Sequence, residues 1–134
     1  MHRNRLHQDL RSTFRALGLR VFLLAMLMAG PGLAAAENRV TAATLATVPN
    51  YETVSVYVSL AGDDDGDAGA QLKIRPASSG TWQPALPLRR VPGEKRLAGC
   101  AFAQPDTAYV VQVSLTDPDG VASVASLQAG VATR

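Results

Sequence analysis

A chain of 134 residues has room for one folded domain, since independent cores usually take roughly 100 to 150 residues each. Its formal charge of +2 is unevenly spread: residues 1–20 hold Arg3, Arg5, Arg11, Arg15 and Arg20 against the single acid Asp9, whereas residues 37–134 hold eight Lys/Arg against ten Asp/Glu, a net charge of −2. The basic balance belongs to the N-terminus, and the remainder has no basic cluster beyond Arg89-Arg90, so a nucleic-acid or anionic-membrane partner is not expected for it.

Charge disappears from Val21 to Ala36. A basic segment followed by an apolar run, here Val21 to Ala29, then Gly30-Pro31-Gly32 and Leu33-Ala34-Ala35-Ala36, has the layout of a secretory signal peptide. Ala34 and Ala36 supply the small side chains of an A-x-A cleavage site, which puts the cut before Glu37. An uncleaved anchor is the alternative, but a stretch of about 16 apolar residues broken by Gly and Pro is short against the ~20 of a membrane span. No Arg-Arg pair precedes the apolar run, which favours general secretion over the twin-arginine route. The chain is therefore expected to comprise a signal peptide, 1–36, and one domain, 37–134, that is secreted or periplasmic.

Beyond the leader the pattern changes from continuously apolar to alternating, the mark of half-buried strands. A first strand is expected over Thr41–Val48, ended by Pro49. Thr53–Leu60 is the clearest, with Val54, Val56, Val58 and Leu60 on one face and Thr53, Ser55, Tyr57 and Ser59 on the other. Leu72 and Ile74 alternate with Gln71, Lys73 and Arg75 in a third, which Pro76 ends by withdrawing an N–H donor. Ser78-Ser79-Gly80 turns the chain into Trp82–Leu88, read as one extended edge strand because two prolines cannot serve a central ladder. Arg96–Phe102 follows the Pro92-Gly93 turn. Tyr109, Val111, Val113 and Leu115 alternate in a sixth strand, closed by Asp117-Pro-Asp-Gly120, and Leu127, Ala129 and Val131 in a seventh. Seven short strands joined by Gly/Pro/Asp turns, without a helical period or an internal repeat, predict an all-β antiparallel sandwich.

The run Pro105-Asp-Thr107-Ala-Tyr109-Val-Val111-Gln-Val113 resembles the entry to the sixth strand of fibronectin type III domains, and Arg75 through Trp82 is similar to that family's third strand and following turn. The likeness covers about residues 45 to 133 and implies a seven-stranded immunoglobulin-like sandwich, with the Tyr109 ring at the core edge and its hydroxyl on backbone upstream, a corner between the sheets. Residues 37–134 are close in length to the ~100 of such a domain. Val56 and Val58 stand where family members often carry a core Trp, and no Arg-Gly-Asp tripeptide occurs, so integrin-type adhesion is not carried over. The segment is also similar to the variant of this module found near the N-terminus of secreted bacterial proteins, which implies an accessory to a larger neighbouring domain.

Both histidines, His2 and His7, lie in the leader, so residues 37–134 contain no Ser-His-Asp or Cys-His site and no His-containing zinc site. The single cysteine, Cys100, excludes an intrachain disulfide, thiolate zinc sites and redox pairs. Lying in the apolar string Leu97-Ala-Gly-Cys-Ala-Phe102, Cys100 is expected to be buried. Leu97-Ala98-Gly99-Cys100 spells a lipoprotein processing motif, but it lies far past the leader and is read as coincidence. Glu37, Glu52 and Glu94 are scattered, with nothing to pair two acids across a cleft. No enzyme activity and no catalytic residue are expected.

Gly62-Asp63-Asp64-Asp65-Gly66-Asp67-Ala-Gly69 places four carboxylates close together, a supply of hard oxygen ligands in which Asp63, Asp65 and Asp67 could hold Ca²⁺. Leu72 stands where a helix-loop-helix calcium site needs its bidentate acid, and the plainer reading is a solvated loop between the second and third strands. Trp82 and Tyr57 could serve a carbohydrate- or protein-binding surface, although Trp82 is expected to pack on the sandwich edge. Arg75, Arg89 and Arg90 are expected on solvated strand faces. The expected function is that of a non-catalytic spacer or docking module whose partner is another protein or a neighbouring domain, with carbohydrate or Ca²⁺ binding as the alternative and no membrane contact once the leader is removed.

Overall fold

Alternation of β-branched residues sets the architecture, and a computed structural model describes it over residues 35–122 and 124–134. The expected signal peptide lies outside the described residues except for its last two. Among the described residues there is no helix, and Ala36–Arg134 forms one compact unit. The described residues form eight strands: β1 (Val40–Pro49), β2 (Thr53–Gly62), β3 (Gly69–Pro76), β4 (Gln83–Pro84), β5 (Arg89–Arg90), β6 (Arg96–Phe102), β7 (Ala108–Thr116) and β8 (Ser126–Ala132). They form two four-stranded antiparallel sheets, β1-β2-β6-β5 and β4-β3-β7-β8.

The inward set is the one the alternation marks. Val54, Val56, Val58 and Leu60 of β2, Leu72 and Ile74 of β3, and Tyr109, Val111, Val113 and Leu115 of β7 are all buried in a single core. Each fully buried aliphatic side chain contributes about 2 kcal/mol against exposure to water. The edge strands bury less: Leu45 of β1 and Leu127, Ala129 and Val131 of β8 are half-buried against this core.

The segment Trp82–Leu88 is not one edge strand. Gln83 and Pro84 pair with Ile74 and Lys73 in one sheet, and Arg89 and Arg90 pair with Ala98 and Leu97 in the other. Between them the chain hands over from sheet to sheet: Ala85 N–H donates to Leu72 O (2.9 Å), Leu88 N–H to Ala70 O (3.0 Å), and Val91 N–H to Arg96 O (2.9 Å). Pro84 and Pro87 withhold the donors that a continuous ladder would need. Leu88 then turns inward over Gly99, where an added Cβ would lie 2.7 Å from Leu88 Cδ2.

Cys100 is exposed, contrary to the sequence expectation. Alternation along β6 buries Leu97 and Ala101 and turns Gly99 toward Leu88, so Cys100 takes the outer face opposite Ser55, and Phe102 follows it there at 79% exposure. A continuous apolar string conceals this two-residue period.

Candidate functional site

Two places draw polar groups together, one at each end of the sandwich. At the first, the connection from β6 to β7 crosses between sheets. Tyr109, buried at the start of β7, accepts a hydrogen bond on its hydroxyl from Gln104 N–H (2.8 Å). Beside it the buried Thr133 hydroxyl accepts from Thr107 N–H (3.0 Å) and donates to Gln104 O (2.6 Å). The crossing is thus held from β7 and from the residue after β8, and nothing in the pattern around Thr133 announced its part.

The opposite end is acidic. Gly62 adopts a left-handed backbone (φ 80) where an added Cβ would lie 2.1 Å from Arg39 O, and Asp63 continues in that region (φ 52). This turn sends Asp63 inward. Its carboxylate accepts from Ala68 N–H (3.0 Å) and pairs with the Arg90 guanidinium, with the side chain wholly enclosed. The loop expected to be solvated therefore has a buried, charged root, and Arg90, expected on a solvated face, is its counter-ion beneath Gly66. Burial of a carboxylate requires such a partner. Arg89 is exposed, in accord with a solvated face.

Asp64 is held outward by Lys95 and by Glu37 N–H (2.8 Å), and these bonds, the lysine's first, keep its pKa below the usual carboxylate value. Asp117 caps the turn after β7, accepting from Val40 N–H (2.9 Å) and Asp119 N–H (2.7 Å). Two triads result, Asp63/Asp65/Asp67 and Asp67/Asp117/Asp119, each with carboxylate oxygens within 4.8 Å of one another and with Asp67 shared. The pKa of Asp67 is raised, first by partial desolvation and then by Asp65, Asp117, Asp119 and Asp63; that of Asp119 is raised first by a hydrogen bond with Asp65. The sequence showed the first triad, but Asp117 and Asp119 read only as turn residues because the β7–β8 turn reaches the β2–β3 loop only in the folded sandwich.

This acidic cluster could hold a metal ion. The capacity is uneven: Asp63 and Asp117 already spend oxygens on Arg90 and backbone N–H groups, leaving Asp65, Asp67 and Asp119 as the exposed donors. Oxygen-only donors suit a hard cation.

Trp82 and Tyr57 are not brought together. Trp82 is half-buried just before β4 with the Arg75 guanidinium 5.0 Å from its ring centroid, a cation–π contact covering one face. Arg75 also donates to Ser79 O (2.5 Å), so it is engaged in the β3–β4 turn. Tyr57, 37% exposed, lies on β2 in the other sheet. The chain matches no family model and no curated protein.

Proposed function

We propose that residues 37–134 act as a non-catalytic, extracytoplasmic module of the fibronectin type III kind, an immunoglobulin-like sandwich that spaces or docks other domains and proteins. The observation that carries this reading is the pairing of two four-stranded sheets around a Val/Leu core with Tyr109 bonded across the β6–β7 crossing. The resemblance around Pro105–Val113 supports the family assignment, and the leader-like residues 1–36 support export. Chemistry argues the same way: without histidine and with one cysteine, residues 37–134 lack Ser-His-Asp and Cys-His sites and the His or thiolate ligands of a zinc site.

A glycan array tests the spacer reading: specific binding abolished by Trp82→Ala would overturn it in favour of a carbohydrate-binding module. Export is tested by N-terminal sequencing of the protein recovered outside the cytoplasm, which should begin at Glu37.

A second reading, Ca²⁺ binding, is favoured by the convergence of the two Asp triads on Asp67. Removing mutual carboxylate repulsion is what a bound hard cation would do there. Calorimetric titration with Ca²⁺ should then give heat and a thermal shift that Asp67→Asn abolishes; no heat and no shift would leave the acidic loop structural.

A further inference from the structure

Strand β1 is ten residues long, forms one edge of its sheet among the described residues and, from Ala42 to Val48, carries no charge, proline or bulge of the kind that usually guards an edge. No residue from Val40 to Pro49 is charged, the proline comes last, and irregular pairing is confined to Val40/Ala42. Among the described residues only its start is closed, where Val40 bridges Val121 and Ala122 N–H donates to Val40 O (2.8 Å). From Ala42 to Val48 the outer peptide groups meet no partner among the described residues.

The ladder identifies those groups. Asn50 N–H donates to Thr53 O (2.8 Å), so the hydrogen-bonded pairs with β2 alternate from there as Val48↔Ser55, Ala46↔Tyr57 and Thr44↔Ser59. In agreement, Leu60, opposite Ala43, sends its N–H the other way, to Lys95 O (2.8 Å). Ala43, Leu45 and Thr47 consequently present N–H and C=O to the open side.

We propose that this edge is the site of homodimerisation: β1 pairs antiparallel with β1 of a second copy, joining two four-stranded sheets into one. The strand is its own complement about Leu45. With Leu45 opposite Leu45, Ala43 meets Thr47, Thr44 meets Ala46 and Ala42 meets Val48, so inward side chains stay inward and no like charges oppose. Ala43, Leu45 and Thr47 of the two copies then exchange about six N–H···O bonds across a two-fold axis. Charge selects this orientation. The acidic loop and turn lie at the Val40 end of β1, where Asp117 binds Val40 N–H and Asp63 N–H binds Arg39 O. A parallel pairing would bring two acidic ends side by side, whereas the antiparallel one sets them roughly 30 Å apart at ~3.3 Å per residue, beyond the screening length in physiological salt.

Sedimentation velocity of the full chain over a micromolar to millimolar series tests the proposal. The wild type should pass from one-chain to two-chain mass with concentration. Ala46→Lys, exposed on β1 and placing charge beside the axis, and Thr47→Pro, removing an outward N–H without touching the β2 ladder, should both stay monomeric. Ala98→Lys, on the outer face two strands inward, should dimerise like the wild type. Far-UV circular dichroism identifies a variant that fails to fold; if Thr47→Pro does, the surface substitution Ala46→Lys decides. A wild type monomeric at the highest concentration, a dimer that survives Ala46→Lys, or one lost in Ala98→Lys would each overturn the proposal.

Discussion

Asp63 and Arg90 form an ion pair between residues 27 apart in sequence, the Asp63 side chain fully enclosed and the Arg90 side chain about one quarter exposed. Asp63 lies in the β2–β3 loop and Arg90 in β5, so the pair fastens the acidic loop to the short edge strand. Removing one partner of such a pair leaves a buried charge uncompensated. Arg90→Ala is expected to cost roughly 3 kcal/mol in urea unfolding, partly eased by water at the arginine end. Asp63→Ala/Arg90→Ala should cost less than the sum of the two single changes.

The Tyr109 hydroxyl serves as acceptor to Gln104 N–H. Tyr109→Phe keeps the ring in the core and removes that acceptor, so a loss of about 1 kcal/mol with an unchanged circular dichroism spectrum is expected.

Asp67 and Asp119 have raised pKa values, so the stability they confer is present in acid and is lost as pH rises through those raised values. Asp64 works in the opposite sense: its lowered pKa gives stability above the ordinary carboxylate value that is lost as pH falls through the lowered one. Asp67→Asn should therefore raise the thermal midpoint at neutral pH, with the gain over wild type vanishing toward about pH 3, where carboxylates are largely protonated. Thermal melts of both proteins across that range provide the check.

Exposure of Cys100 on the outer face of β6 has a direct consequence. Its thiol should titrate with a disulfide reagent in the folded protein at the rate of an accessible cysteine, without denaturant. Cys100→Ser should leave unfolding free energy within about 0.5 kcal/mol of wild type.

Gly62→Ala meets two obstacles, a positive φ and the Arg39 carbonyl. Because the same turn aims Asp63 inward, the substitution should cost more than the roughly 1 kcal/mol of backbone strain alone, measured by chemical unfolding.

The long strands were legible because a two-residue period is a local property. Val54 to Leu60 and Tyr109 to Leu115 declare their inward faces whatever they pack against, and β1 and β8 need only moderate alternation to follow. The segment Trp82–Leu88 was legible as extended, but its division between two sheets was not, since prolines say where a ladder stops and not which neighbour comes next. For Cys100, apolar neighbours on both sides masked which parity the strand would adopt.

Sequence by itself determined that residues 37–134 form short alternating strands with no histidine and an acidic loop, because composition and periodicity are written residue by residue. Only the tertiary structure decided that Asp63 is buried on Arg90, that Asp117 and Asp119 join Asp67, and that β1 is an edge strand among the described residues. Those relationships depend on which strands become neighbours and on how two sheets align, and burial and electrostatic energies arise only once distant segments share the same few ångströms.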